Sequence, residues 1–309
     1  MQKEIDVIED DILKKYPLIL EILLYDQTTK KNILWATDNY NYLGNNYNFS
    51  SQIKIESITG INSQVIMPRV LKSKLIQKTR SKEMAEVYTP SWVCNEQINT
   101  IDNSWFNKEN IFNKKVVSKN GKISWETNET KIVFPKGKTW KDYVMDVRLE
   151  IACGEAPYLT SRYDTTTGEY ISVNDRIGFL DRKIRVVSEN IKTKNSWLKY
   201  VELAYKSIYG YEYHGDSLLL AREALLYTFF DNYLEKFKVE LKLEEVQKIA
   251  NIISWNIWQM DGLTCGIPSN ENLDIKYCSI MDWTKINPDT NEHGVKLRFI
   301  DLIKQESGK

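Results

Sequence analysis

Apolar side chains recur at the spacing of a helix in two stretches of the C-terminal half. The longer stretch runs to Phe237 and begins at Asp216 or Ser217, residue types that commonly cap helices. A shorter periodic stretch covers residues 243–253. Residues 1–25 show the same spacing, so the pattern predicts helices in all three places.

Two shorter stretches alternate between apolar and polar positions, as strands do. Val147, Leu149 and Ile151 alternate up to Gly154, and residues 207–213 form a second such run. Each predicted strand is followed by helix-like sequence. Strands that alternate with helices predict an α/β fold with a largely parallel sheet, whose ligand crevice lies at the carboxyl ends of the strands.

The composition is that of a folded protein without a membrane span. The 309 residues are 42% hydrophobic, which supplies apolar material for one large or two ordinary domains. The most apolar run, Leu18 to Tyr25, is interrupted by Glu21 and is far shorter than the ~20 residues that a membrane span requires. The first residues show no basic segment followed by an apolar core, so we expect a cytoplasmic protein with no membrane partner.

The cysteines and histidines show no metal-binding spacing. The 4 cysteines and 2 histidines are scattered along the chain without a Cys-x-x-Cys or a His-x-x-x-His pair. The sequence therefore predicts neither a disulfide framework nor a structural zinc site.

Basic residues are concentrated in two stretches, although the net charge is zero. Residues 67–82 carry six basic side chains and no acid, and residues 176–199 carry seven basic side chains and two acids. Tyr163, Tyr170 and Trp197 lie in or near the second stretch, where aromatic rings next to cations suit base stacking. The predicted nucleic-acid contacts are Arg69, Lys72, Lys74, Arg182, Lys183 and Arg185. The alternative is that both stretches are ordinary solvated faces.

Four short motifs follow one another along the chain. They are Glu-Val-Tyr-Thr-Pro at 86–90, Glu-Ile-Ala-Cys-Gly-Glu-Ala-Pro-Tyr-Leu at 150–159, Tyr-Gly-Tyr-Glu-Tyr at 209–213 and Trp-Asn-Ile-Trp-Gln-Met-Asp-Gly-Leu at 255–263. In this order they resemble the N6-adenine class of DNA methyltransferases from restriction-modification systems, and more closely the proteins labelled restriction endonuclease subunit M. The resemblance extends over nearly the whole chain, including Arg-Ile-Gly-Phe-Leu-Asp-Arg-Lys at 176–183.

The resemblance implies a Rossmann-like fold that uses S-adenosylmethionine as its cofactor. Residues 81–309 would form the methyltransferase-like domain, and residues 1–80 an N-terminal α+β region with DNA or partner contacts. Glu212 follows Gly154 by 58 residues, whereas a plain strand–helix–strand unit places the acid roughly 20 residues after the glycines. We therefore expect an insertion at residues 160–205 that acts as a lid or contacts the substrate.

The residues themselves also point to a nucleoside ligand. A small-residue turn after the first strand lets a ligand approach the backbone and places a helix N-terminus beside it. Glu212 closes the second strand, where a carboxylate can accept hydrogen bonds from both ribose hydroxyl groups. By resemblance, Gly154 would face the methionine part of the cofactor and Asp261 would lie near its adenine. The remaining predicted cofactor residues are Tyr88, Thr89, Pro90, Glu150 and Cys153, with ordinary core or turn positions as the alternative for each.

The chain lacks the tetrapeptide with which these enzymes bind the target adenine. In the family, an Asn/Asp/Ser-Pro-Pro-aromatic sequence accepts the hydrogens of the exocyclic amine and stacks on the extruded base. The 7 prolines of this chain include no adjacent pair. Asp282 and Trp283 follow the next apolar run after Asp261, and we predict that they are the acceptor and the stacking ring. Asn-Pro-Asp at 287–289 is a weaker substitute.

The leading hypothesis is an S-adenosylmethionine-dependent DNA methyltransferase acting on adenine N6, in a restriction-modification or phage-defence system. The missing tetrapeptide leaves open a subunit without its own catalysis, which binds cofactor or DNA beside a restriction or specificity subunit. A third possibility is an enzyme that methylates RNA or protein. No cysteine follows a proline and no Gly-x-x-x-x-Gly-Lys-[Ser/Thr] loop is present, so neither cytosine-C5 methylation nor ATP hydrolysis is predicted.

Overall fold

Helices and short strands alternate in the computed structural model, which describes residues 5–269, 275–284 and 294–307. The helices are α1 (Glu9–Lys15), α2 (Pro17–Leu24), α3 (Lys74–Glu83), α4 (Ser91–Phe106), α5 (Trp140–Met145), α6 (Phe179–Asn190), α7 (Lys194–Lys206), α8 (Gly215–Phe237), α9 (Leu243–Asn256) and α10 (Phe299–Ser307). The strands are β1 (Tyr25–Asp26), β2 (Lys31–Asn32), β3 (Asn113–Val117), β4 (Ile123–Thr127), β5 (Arg148–Glu150), β6 (Ile208–Glu212), β7 (Ile257–Gln259), β8 (Ser279–Asp282) and β9 (Val295–Arg298). Within the described residues, no helix is both long enough and apolar enough to cross a membrane.

Three parallel strands form the largest sheet among the described residues. Their order is β5-β6-β7, with Arg148 opposite Ile208 and Gly210 opposite Ile257. The predicted α/β class with a parallel sheet is thus confirmed, although β5 is shorter than the alternation of apolar residues indicated. Because the three strands run in the same direction, their carboxyl ends lie together at one end of the sheet.

Two helices fill each connection between neighbouring strands. Helices α6 and α7 connect β5 to β6, and α8 and α9 connect β6 to β7. The side chains of Leu180, Ile184, Trp197 and Val201, in α6 and α7, are fully buried. The inner faces of α6 and α7 therefore belong to the core, and a role of residues 160–205 as a lid or substrate contact stays a prediction. The long spacing between the two motifs arises because this connection holds a long loop and two helices instead of one.

The N-terminal residues pack into the same core as the rest of the chain. Helix α2 packs against α9 and is fully buried at Leu23. The guanidinium group of Arg222 in α8 donates to the carbonyl oxygens of Tyr25 (3.0 Å) and Ile257 (2.8 Å), which links the end of α2 to β7. One hydrophobic cluster extends from Val7 to Ile257. A domain boundary near residue 80 stays a prediction, and these contacts cross it.

A second hydrophobic cluster covers one face of the sheet at β6 and β7. Tyr209 and Trp258 lie on this face and belong to a cluster with Cys278 and Ile280. Cys278 directly precedes β8, and Ile280 lies within it. Strand β8 pairs with β9 in the antiparallel direction. Residues 277–283 and 297–300 therefore cover this part of the sheet.

Candidate functional site

A cavity of about 620 Å³ lies at the carboxyl ends of β5 and β6. Its walls come from the segment before α4, the turn after β5, the end of β6 and the first turn of α8. The predicted cofactor residues that line it are Tyr88, Thr89, Glu150, Cys153, Gly154 and Glu212. Three of the four sequence motifs thus meet in one cavity, at the end of the sheet where ligands of α/β folds bind.

The turn after β5 has an unusual backbone. Ala152, Gly154 and Ala156 have positive φ angles of 47°, 53° and 59°. Residues with side chains seldom adopt such angles, and their alternation folds the chain tightly. The amide of Cys153 donates to the carbonyl oxygen of Tyr211 at 2.8 Å, so the turn stays bonded to β6.

No helix begins directly after this turn, in contrast to the sequence expectation. The next helix, α6, begins at Phe179, whose side chain lines the cavity. The first amides of α6, those of Phe179 and Leu180, donate to the carbonyl oxygens of Tyr158 and Leu159 at 2.8 and 2.9 Å. These amides are therefore already paired, and the helix N-terminus does not offer them to a ligand.

Glu212 closes β6 and binds the turn to it. Its Oε2 atom accepts a hydrogen bond from the amide of Gly154 at 2.8 Å, and its Oε1 atom accepts one from the amide of His214 at 3.1 Å. The side chain is buried at the wall of the cavity. A carboxylate offers about four acceptor positions. The imidazole Nδ1 atom of His214 also lies 3.4 Å from Oε1, so the carboxylate keeps about one acceptor position for a ribose hydroxyl.

Glu150 supports the turn from inside. Its oxygens accept hydrogen bonds from the amides of Tyr158 (3.3 Å) and Leu159 (3.1 Å). Desolvation by burial raises the pKa of Glu150 to about 8, although these two bonds act in the opposite direction. The carboxyl group is therefore mostly neutral at pH 7, which limits the negative charge beside Glu212. We assign Glu150 a positioning role in the turn.

Tyr88 lies directly over Gly154. A Cβ atom at Gly154 would come within 3.1 Å of the Tyr88 ring, so glycine is the residue that permits this contact. The guanidinium carbon of Arg69 lies 5.5 Å from the centre of the same ring. Burial raises the pKa of Tyr88 well above its usual value, so the hydroxyl stays neutral.

An ion-pair network that the sequence does not predict anchors one wall of the cavity. Asp216, in the first turn of α8, lies 2.8 Å from Arg80 and 3.4 Å from Lys72. The hydroxyl of Tyr40 donates to the same carboxylate at 2.8 Å, and Arg80 also pairs with Glu86. Although burial acts to raise it, the charges of Arg80 and Lys72 hold the pKa of Asp216 well below its usual range. The network holds the end of α3 against α8.

Further residues line the cavity that the sequence reasoning did not assign. They are Glu86, Tyr158, Phe179, Tyr213, His214 and Ser217, among others. Glu86 and Tyr158 stand inside the quoted motifs, so a fuller use of those motifs would have found them. Phe179 stands inside the quoted sequence at 176–183, but its place at the cavity depends on the packing of α6.

Two predicted cofactor residues lie at the margin of the cavity or outside it. Pro90 lines a neighbouring groove and is the N-cap residue of α4. Asp261 does not line the cavity, and its carboxylate accepts a hydrogen bond from the amide of Leu263 at 2.8 Å. Burial and the charge of Asp261 raise the pKa of Tyr213, which lines the cavity. Asp261 is therefore close to the cavity without facing it.

Asp282 and Trp283 lie at the wrong end of the sheet for catalysis at this cavity. The indole of Trp283 donates to Asn256, which precedes β7, at 2.7 Å, and the Lys206 amine lies 5.1 Å from its ring centre. This placement follows from the direction of β8. The thiol of Cys278, just before β8, donates to the carbonyl oxygen of Gln259 at the carboxyl end of β7. β8 then runs toward the amino ends of the parallel strands. The structure therefore does not bring Asp282 and Trp283 to this cavity, and their catalytic role stays a prediction. Residues 287–289 lie outside the described residues.

Two of the three predicted DNA contacts in the second basic stretch, Arg182 and Lys183, are internal. Arg182 is 2% exposed, pairs with Asp102 and donates to Asn95 at 2.8 Å. Lys183 is 1% exposed and donates to the carbonyl oxygen of Val144 at 2.9 Å. Burial lowers the pKa of Lys183 to about 7. The predicted DNA contacts of Arg182 and Lys183 are wrong, because α6 turns these side chains into the core.

Most of the other predicted DNA contacts also have protein partners. Arg185 pairs with Glu189 at 2.8 Å, and Arg69 lies 3.3 Å from Glu86. Lys72 is buried against Asp216, so its predicted contact with DNA is wrong. Trp197 and Tyr163 are buried too and cannot stack on a base. Lys74 is the exposed member of the predicted set. Exposed lysines also follow at Lys78 and Lys82, so a lysine occurs at every fourth residue along α3.

Comparison with known proteins adds no relative. No family model, no curated protein and no solved structure matches the chain. The functional assignment therefore depends on the motifs and on the geometry of the cavity.

Proposed function

We propose that the chain binds S-adenosylmethionine in this cavity and is the cofactor-binding component of a DNA methyltransferase acting on adenine N6, in a restriction-modification or phage-defence system. The observation that carries the proposal is the meeting of Tyr88, Gly154 and Glu212 in one cavity at the carboxyl end of a parallel sheet. These residues come from three motifs that are far apart in sequence. At the level of fold, the proposal implies a Rossmann-like sheet of which β5, β6 and β7 are one half.

The residues of the cavity suit the chemical groups of this cofactor. Glu212 keeps acceptor capacity for a ribose hydroxyl. The rings of Tyr88, Tyr158 and Phe179 line the cavity, and aromatic faces attract a sulfonium cation. The volume of about 620 Å³ lies within the usual range for small-molecule sites. When bound, the cofactor supplies a methyl group on a positively charged sulfur.

The chain contributes orientation and exclusion of water. Glu212 holds the ribose, and Tyr88 and Phe179 shield the cavity with apolar surface. A fixed methyl donor accelerates transfer because the reacting groups need no further ordering. The adenine amine, however, needs hydrogen-bond acceptors, and this sequence lacks the tetrapeptide that would supply them. Asp282 lies at the opposite end of the sheet. This favours a component that needs another element over an enzyme complete in itself.

Exposed lysines on α3 favour a nucleic acid as the methyl acceptor. Lys74, Lys78 and Lys82 are exposed, and their spacing of four places them along one side of the helix. Helix α3 leads directly into residues 84–89, which line the cavity. Such a row of cations suits the phosphates of a strand that delivers a base to the cavity. A protein acceptor would not require it.

Calorimetric titration of the purified chain with S-adenosylmethionine tests the cofactor assignment. We expect binding, and a loss of affinity of about tenfold or more in Glu212→Gln, because a hydrogen bond to a charged group contributes roughly 1.5–3 kcal/mol. Glu109→Gln is the matched control, since Glu109 is exposed and does not line the cavity. Absence of binding by the unaltered chain would contradict the proposal.

Expression in a methylation-free host tests whether the chain is complete. We expect no N6-methyladenine in the DNA of that host when the chain is expressed alone. Motif-specific methylation by the chain alone would instead establish a complete enzyme. The same cells report methylation of RNA or protein, which would replace DNA as the acceptor.

A further inference from the structure

An imidazole lies beside the carboxylate of Glu212 at the wall of the cavity. It belongs to His214, two residues further along the chain, which lines the cavity as Glu212 does. The His214 side chain is 18% exposed, and its Nδ1 atom lies 3.4 Å from Oε1 of Glu212. The proposed function uses Glu212 and gives this imidazole no role. Both side chains border the same part of the cavity.

The backbone around His214 is fixed by contacts on both sides. Its amide donates to Glu212 at 3.1 Å, and its carbonyl oxygen accepts a hydrogen bond from the amide of Leu218, in the first turn of α8, at 3.0 Å. The next residue, Gly215, packs so closely on the backbone of Leu34 that a Cβ atom would clash with the Leu34 carbonyl oxygen. The position of His214 relative to Glu212 is therefore set before a ligand binds, which reduces the cost of ordering the site.

The carboxylate of Glu212 determines which nitrogen of the imidazole can accept a hydrogen bond. A neutral imidazole has one donor nitrogen and one acceptor nitrogen. If Nδ1 carried no proton, its lone pair would face the lone pairs of Oε1 at 3.4 Å, which is repulsive. The proton of the neutral ring therefore resides on Nδ1, and Nε2 is the acceptor. Within the described part of the chain, Nε2 of His214 has no hydrogen-bond partner.

The two neighbouring hydroxyl groups of a ribose need more acceptors than Glu212 alone retains. Its carboxylate already receives the amides of Gly154 and His214, and the imidazole faces a third position, so about one of roughly four acceptor positions remains. That position can bind one hydroxyl group. A hydroxyl group that leaves water for a cavity without finding a partner lowers affinity. A second acceptor beside Glu212 would satisfy it.

We propose that Glu212 and His214 form an acceptor pair for the vicinal diol of a ribonucleoside, in which each side chain accepts a hydrogen bond from one hydroxyl group. The nucleoside rests on the proposed function, whereas the acceptor pair rests on the geometry at the end of β6, where an acid commonly binds ribose. A deoxynucleoside leaves one member of the pair without its partner. A site built to bind a hydroxyl group rejects the ligand that lacks it, so His214 is a specificity residue of the cavity.

Calorimetric titrations with adenosine, 2′-deoxyadenosine and 3′-deoxyadenosine test the pair one hydroxyl group at a time. The unaltered chain should bind adenosine more tightly than either deoxynucleoside. His214→Asn keeps a donor toward Glu212 and removes the outer acceptor, so it should weaken adenosine binding by roughly three- to tenfold, as expected for one neutral hydrogen bond. One of the two deoxynucleosides should bind equally well to His214→Asn and to the unaltered chain, because it lacks the hydroxyl group that His214 binds.

His214→Gln is the matched variant, because its side chain can carry an oxygen at the outer position. It should retain most of the affinity for adenosine. Equal losses of affinity for all three nucleosides in His214→Asn would indicate a purely structural role and overturn the proposal, and so would an unchanged affinity for adenosine.

Titration of the unaltered chain with S-adenosylmethionine separates this inference from the proposed function. If the nucleosides show the expected pattern and S-adenosylmethionine does not bind, the proposed function fails and the acceptor pair stands. If S-adenosylmethionine binds and His214→Asn weakens all three nucleosides equally, the acceptor pair fails and the proposed function stands. Absence of adenosine binding by the unaltered chain would overturn the acceptor pair, whatever the affinity for S-adenosylmethionine.

Discussion

The two outer strands of the parallel sheet differ in their surroundings. All residues of β7 are buried, and the side chain of Gln259 bonds to both the amide and the carbonyl oxygen of Leu34 at 2.8 Å. In β5, by contrast, Leu149 is 44% exposed. Leu149 is apolar, as Ile257 and Trp258 of β7 are, so the polarity of this residue does not explain its exposure. What differs is the presence of a covering element, which the described part of the chain provides for β7 and not for β5.

The largest expected effect concerns packing on the covered side. Trp258→Ala should lower the free energy of unfolding by about 3–5 kcal/mol, because it removes a buried ring from a close-packed cluster. Leu149→Ala on the open side should lower it by less than about 1 kcal/mol, since exposed positions contribute little. Urea denaturation of both variants measures the difference. Equal losses would mean that β5 is covered in solution by the chain itself.

A second effect concerns the turn at the open strand. Gly154→Ala combines a positive φ with a contact to Tyr88 and should cost about 1–2 kcal/mol of stability and weaken cofactor binding. Gly121→Ala is the control, because its φ is +81° and nothing lies within 4 Å of the added Cβ. Thermal unfolding and calorimetry compare the two. If both variants lose stability equally and bind cofactor equally, the contact with Tyr88 is unimportant.

The pH dependence of stability should report on the inner face of β5. Burial raises the pKa of Glu150 to about 8, so the folded chain holds a proton that the unfolded chain releases above its ordinary value of 4.5. The stabilisation from this proton is complete below pH 4.5 and is lost as the pH rises through about 8. Replacement by Gln should therefore flatten the decline in unfolding free energy between these pH values, by on the order of 1 kcal/mol for each pH unit. An unchanged slope in Glu150→Gln would contradict burial of this carboxyl.

The smallest effect on stability is expected at the exposed helix α3. Lys78→Gln should change the unfolding free energy by no more than about 0.5 kcal/mol, because Lys78 is exposed. The same variant should reduce the salt dependence of DNA binding by about one unit of slope if Lys78 contacts a phosphate. Binding titrations over a series of salt concentrations measure it. Lys108→Gln, also at an exposed lysine, should leave the slope unchanged.

The sequence was informative where function depends on strand ends. Glu212 and Gly154 were assigned to one site from their places after two predicted strands, and the Gly154 amide does donate to Glu212. Parallel strands bring their carboxyl ends together by topology alone, so no long-range contact had to be known. Helix α8 was likewise predictable, because its apolar residues repeat over many turns.

Sequence and structure differ where a run of basic residues predicts an exposed surface. Arg182 and Lys183 stand in a basic run, but α6 directs both into the core. There Arg182 pairs with Asp102, and Lys183 donates hydrogen bonds to backbone carbonyl oxygens. Lys72 is buried against Asp216, an acid 144 residues away. Local sequence does not contain these partners. Their burial therefore could not be read from the basic runs.

By itself, the sequence determined the alternation of strands and helices, the place of the turn after β5 and the acid that closes β6, because each depends on neighbouring residues. The tertiary structure alone decided which cations are buried, that β8 carries Asp282 away from the cavity, and that the apolar face of β5 is left open. These properties depend on the direction and proximity of segments that are distant in the chain. The same apolar alternation describes a covered strand and an uncovered one, and only the neighbouring elements distinguish them.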